Sequence, residues 1–93
     1  MYKIANETKA IAKSHGLRVE PARVKHKKIS VFKGDEYLCS VGALGYDDYF
    51  SFKKKYGLEV AKEHRRRYLM RHEKDRHKIN SPGYFASILL WAG

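Results

Sequence analysis

The residues best suited to chemistry in this sequence are basic. Arg65-Arg66-Arg67 is preceded by Lys62 and followed at helical spacing by Arg71 and Lys74, then by Arg76 and Lys78. A guanidinium suits phosphate because its planar fork bonds two oxygens at once, and each phosphate neutralised releases counterions. Residues 53–78 hold eleven Lys and Arg against four Asp and Glu, a net +7. Glu59, Glu63, Glu73 and Asp75 can therefore absorb only part of the surplus, and exposed pairs of that kind contribute little. A second basic stretch comprises Arg23, Lys25, His26, Lys27, Lys28 and Lys33. Lysines there either contact nucleic acid or guard a strand edge against self-association. The candidate nucleic-acid-binding residues are accordingly Lys25, Lys27, Lys28, Lys62, Arg66, Arg67, Arg71, Lys74, Arg76 and Lys78.

Other chemistries find less support. His64, His72 and His77 lie near Glu63, Glu73 and Asp75, but a metal needs ligands converging on one face. His64 and His72 fall roughly 80° apart on a helical wheel, and His77 lies past the expected helix end, so no metal site is assigned. His72 reads instead as a hydrogen-bonded histidine at a packed interface. Asp47 and Asp48 are adjacent carboxylates; neighbours at a helix start do not face each other, and capping accounts for them. No Gly-rich phosphate loop, nucleophile elbow, HExxH or paired-cysteine motif is present, so the sequence presents no catalytic centre and implies no cofactor. Seven tyrosines are many for 93 residues, but Tyr46, Tyr49, Phe50 and Phe52 sit in an acidic segment, which favours core packing over base stacking.

The elements that must position these groups follow from periodicity and punctuation. Residues 3–15 read as a helix capped by Asn6 or Thr8 and ended by Gly16. Glu20-Pro21 should break any regular element. Residues 27–33 and 36–43 alternate around Gly34-Asp35, the clearest hairpin signal, and Leu17-Arg18-Val19 could add a short strand. A lone hairpin is marginal, so a helix must cover one face. Asp47 and Asp48 can cap a helix over 48–56, stopped by Gly57. A longer helix over 58–74 carries Leu58, Ala61, Arg65, Tyr68, Leu69 and His72 on one side. Ser81 as N-cap and Pro82 in the first turn open a last helix that is apolar nearly all round. Such a helix must be buried in the core or against a partner, which marks Tyr84, Phe85 and Trp91 as candidate structural-interface residues. The expected fold is α+β: an N-terminal helix, an antiparallel hairpin or small sheet, and two to three C-terminal helices packed on it, in one domain over 1–93. The expected core is Ile11, Val31, Leu38, Val41, Tyr49, Phe52, Leu58, Ala61, Tyr68, Leu69, Phe85, Leu89 and Trp91.

Three separated pieces carry a resemblance: Gly45-Tyr46-Asp47-Asp48-Tyr49, then Arg67-Tyr68-Leu69-Met70-Arg71-His72, then Ser81-Pro82-Gly83-Tyr84-Phe85-Ala86 with Leu89-Leu90-Trp91. In order and spacing they make the second half of this sequence resemble a family of small uncharacterised proteins encoded by large DNA viruses and bacteriophages. The likeness covers about residues 41–91. It implies a virus-encoded protein and no particular activity. Read physically, the pieces look like a structural signature: a turn at Gly45, helix-end hydrogen bonds from Arg71 and His72, and an anchor at Trp91.

Composition bounds the function. With 43% hydrophobic and 32% charged residues, the chain is globular, and 93 residues suffice for one modest core. Cys39 is the single cysteine, which argues against a secreted disulfide scaffold. The polar start and the short uncharged run at 79–93 predict neither a signal peptide nor a membrane span. Together with what the resemblance implies, this makes the host cell interior or the virion the expected location. The net charge of +10 favours an acidic partner: nucleic acid, or an acidic protein surface such as that of capsid proteins. The leading expectation is a non-enzymatic nucleic-acid-binding accessory protein. A capsid-cementing virion component and an inhibitor of a host nucleic-acid enzyme are the alternatives.

Overall fold

The computed structural model describes residues 2–92. The chain runs α1 (Asn6–Ser14), β1 (Arg18–Pro21), β2 (Ile29–Lys33), β3 (Glu36–Val41), α2 (Tyr49–Tyr56), α3 (Leu58–Arg71) and α4 (Pro82–Leu90). The strands form one antiparallel sheet in the order β1-β2-β3. This is the expected α+β arrangement, with the short third strand present.

Sheet register decides which side chains enter the core. Val19, Val31 and Cys39 align across the sheet, as do Pro21, Ile29 and Val41. Ile29, Val31 and Val41 are buried against Phe85, Leu89 and Leu90 of α4 and Ile4 and Ala12 of the N-terminal segment. The opposite face of β2 is covered too. Phe32 is buried under the Arg18 and Arg23 guanidiniums, 4.3 and 5.1 Å from its ring centroid, and meets Tyr37 edge-on. Ser30 and Ser40 share a 2.8 Å hydrogen bond beside it. Alternation alone therefore understates β2, whose first four residues are all buried.

Several boundaries differ from expectation for local reasons. Pro21 does not break β1 but ends it, since an edge strand can spare the missing N–H. Helix α1 starts at Asn6 with Ala5 as an N-cap that offers no side-chain bond. Thr8, expected as a cap, is buried and donates its hydroxyl across the core to the Leu89 carbonyl at 2.8 Å. Helix α3 stops at Arg71, and residues 72–81 continue as tight turns, with Asp75 N bonding His72 O and Ser81 N bonding Lys78 O. Leu58, expected in the core, is exposed at the first position of α3, whereas Ala61 is fully buried.

The caps of α2 and α4 are as expected. The Asp48 carboxylate accepts from Ser51 N at 2.9 Å while Ser51 Oγ accepts from Asp48 N at 2.8 Å, a reciprocal capping box. Ser81 Oγ accepts from Tyr84 N, and Pro82 opens α4. Gly42, at φ 86°, is required at the exit of β3: a Cβ there would lie 2.8 Å from Leu90 Cδ1 and 3.0 Å from the Lys28 side chain. The Cα radius of gyration is 12.4 Å. Among the described residues no helix is long and apolar enough to cross a membrane.

Candidate nucleic-acid interface

The 3.6-residue repeat of α3 sorts its residues. Ala61, Arg65, Tyr68 and His72 share the inward side, and Lys62, Arg66, Arg67 and Arg71 occupy the exposed side and its flanks. Arg65 is internal: its guanidinium donates to the Ala92 carbonyl at 2.7 Å and lies over the Tyr49 ring. Its Nε has no hydrogen-bond partner among the described residues.

The predicted contact residues divide into three groups. Arg66 and Arg67 are exposed but share Glu63, at 2.7 and 3.1 Å. Their bonds, Arg66 first, pull the Glu63 carboxyl down to about 2. Arg76 is similarly paired with Glu73, which also accepts from His77; those two bonds, that of His77 the stronger, hold the Glu73 carboxyl below its ordinary range. Lys25, Lys27, Lys62, Arg71, Lys74 and Lys78 form the second group, exposed and with no carboxylate in bonding range among the described residues. Lys53 and Lys54 on α2, not singled out from the sequence, join this group, while Lys55 is held by Asp47 at 2.8 Å.

Lys28 is the third group and a correction. It is buried, with Nζ 3.0 Å from Asp48 Oδ2, and that oxygen also accepts from Tyr2 Oη at 2.7 Å. Burial and the Asp48 carboxylate together raise the Tyr2 phenol well above its ordinary value. A basic run one residue before a buried strand cannot keep every member in solvent: Ile29 is fully buried, and Lys28 enters the interior with it. Of the two settings left open for Tyr84, Phe85 and Trp91, the core or a partner, the structure shows the core. Phe85 is buried in the core, Trp91 is buried and stacked on Tyr68 at 4.4 Å, and Tyr84 packs half-buried against the same cluster.

Between the sheet exit, α2, α3 and the end of α4 lies a cavity of about 410 Å³. Aromatic rings make its wall. His64 stacks on Phe52 at 4.0 Å, Phe52 meets Trp91 at 6.2 Å, and Tyr68 stacks between Trp91 and His72. Burial raises the Tyr68 phenol above its ordinary value. Arg71 and Tyr46 stand on the exposed rim. The carboxylates that reach the cavity, Asp47 and Asp48, are engaged by Lys55 and Lys28. The basic β1–β2 loop abuts the same rim, because Leu44 N donates to His26 O at 3.0 Å.

No family model matches the chain, and no curated protein or solved structure is significantly similar to it. The site must therefore be read from its own geometry. That geometry joins what the sequence kept apart: Tyr46, Asp47 and Asp48, then Tyr68, Arg71 and His72, then Ala86, Leu90 and Trp91 all line one cavity. These belong to the three separated pieces quoted above. Tyr46 in particular, assigned to core packing from its acidic neighbours, is 75% exposed. The signal that could have found the cavity was the repeated pairing of aromatic with polar residues in those pieces; helical spacing alone does not say that they meet. Among the described residues no group of His, Cys, Asp and Glu is arranged to hold a metal ion.

Proposed function

We propose that this chain is a non-enzymatic, virus-encoded accessory protein that binds nucleic acid through outward-facing lysines and arginines. The observation that carries the reading is the set Lys25, Lys27, Lys62, Arg71, Lys74 and Lys78, exposed and unpaired with any carboxylate among the described residues. Such cations neutralise phosphates in water at little desolvation cost, and the released counterions drive binding. The viral origin rests on the order of the three sequence pieces. The non-enzymatic reading draws on spacing: His64 and His72, the cavity's two imidazoles, sit eight residues apart on or just beyond α3, a rise of about 12 Å, too far to share one phosphodiester as acid and base.

No specific observation favours a capsid cement, since the uncharged C-terminal segment that suggested it is used in the chain's own core. Binding to a short DNA duplex, measured by fluorescence anisotropy over a salt series, tests the proposal. With roughly six phosphate contacts, log K should fall against log salt with a slope near −5. Arg71→Glu with Lys74→Glu should flatten that slope by about 2 and weaken binding alike on unrelated sequences. A salt-independent affinity, or no binding at low salt, rejects it.

A further inference from the structure

We infer that the aromatic cavity receives an unstacked base of a single strand, so that the nucleic acid bound is single-stranded or locally opened. This deepens the nucleic-acid reading and rests on it. A cavity of about 410 Å³ lies near the small end of the roughly 300–1,000 Å³ of small-molecule sites. It is too confined for a folded element and suits one planar group. Its wall is aromatic: Trp91, Tyr68 and His72 stack on one another and cover each other's inner faces, which leaves His72, its side chain 39% exposed, as the platform at the open end. Every base has a π-face, so stacking on such a wall needs no particular sequence. Tyr46, whose hydroxyl makes no hydrogen bond to the described residues and which is mostly solvent-exposed at the rim, supplies a second ring at the mouth.

Charge selects the ligand's other half. Arg71 stands at the mouth without a carboxylate partner among the described residues, and Lys25 and Lys27 lie in the β1–β2 loop tethered beside that rim through His26 and Leu44. The two carboxylates that line the cavity are each offset by a lysine, and Asp75 lies 3.9 Å from His72 Nδ1 at the open end, so a phosphate at the rim meets Arg71, Lys25 and Lys27 with Asp75 as the opposing charge. In a duplex the base faces are stacked and out of reach; a single strand presents base and phosphate together, matching ring wall and basic rim.

The chain's sole tryptophan lines the cavity and serves as reporter. The probes are an oligothymidylate of roughly 12 nucleotides, within the usual span of single-strand sites, an abasic oligomer of equal charge, and a duplex of the same length. The oligothymidylate should quench Trp91 emission and bind roughly 5- to 100-fold tighter than the abasic oligomer, the range expected for stacking one base. The duplex should leave Trp91 emission unchanged. Tyr46→Ala, an exposed change that does not threaten folding, should reduce the preference for the base-containing strand without altering abasic binding. Equal affinity for the two oligomers with unchanged emission overturns the base pocket while leaving charge-driven binding intact. Failure of all three probes to bind overturns both readings.

Discussion

Lys28 shows how one side chain can leave a functional surface for a structural role. Its ammonium and the Asp48 carboxylate are both nearly inaccessible and 3.0 Å apart. Asp48 is further satisfied by Tyr2 Oη and Ser51 N, so it joins the N-terminal segment, the start of β2 and the cap of α2. Taking two charges out of water is costly, and removing one partner strands the other. Lys28→Met should therefore destabilise the fold by about 3–5 kcal/mol in urea denaturation. Adding Asp48→Asn should recover part of that loss, because the amide oxygen keeps the cap to Ser51 N without an unpaired charge. A loss below about 1 kcal/mol for the single change would assign Lys28 to solvent.

On α3 the question is how many cations are available. Glu63 holds both Arg66 and Arg67 and Arg65 turns inward, leaving Lys62 and Arg71 as the helix's exposed unpaired bases among the described residues. Glu63→Gln should release both guanidiniums, tighten DNA binding and steepen the salt slope by up to about 2. The pH dependence has a definite sign. The Glu63 carboxyl is lowered from 4.5 to about 2 by its arginines. Its small contribution to stability is thus complete above pH 4.5 and disappears as pH falls through about 2. The affinity gap between Glu63→Gln and the parent chain should accordingly hold constant from pH 7 to 5; a gap that closes over that interval would contradict the pairing.

For the molecule as a whole, α4 is the element on which folding depends. It has nine residues, too few to be stable alone, and it is nearly uncharged. Leu89 is fully buried against the sheet, and its carbonyl accepts from Thr8 of α1. A chain of this length has about 5–14 kcal/mol of stability to lose. Leu89→Ala should remove about 2–5 kcal/mol and lower Tm by at least about 8 °C, measured calorimetrically. A shift of only a degree or two would mean that α4 packs on a partner and not on this chain.

Elements announced by local chemistry were legible in advance. The Gly34-Asp35 turn, the Asp48 and Ser81 caps, Pro82 in the first turn of α4 and the stop at Gly57 each depend on one residue's own backbone or side-chain preference. The positive surplus of residues 53–78 was legible too, since eleven bases cannot be neutralised by four acids whatever the packing. The inward turn of Lys28, the pairing of Glu63 with two arginines, the exposure of Tyr46 and the cavity itself were not. Each joins residues distant in the chain or chooses between two faces open to the same side chain. That choice belongs to the register of the sheet and the packing of α2, α3 and α4, where burying Ile29, Ala61 and Leu89 determines which neighbours remain in water.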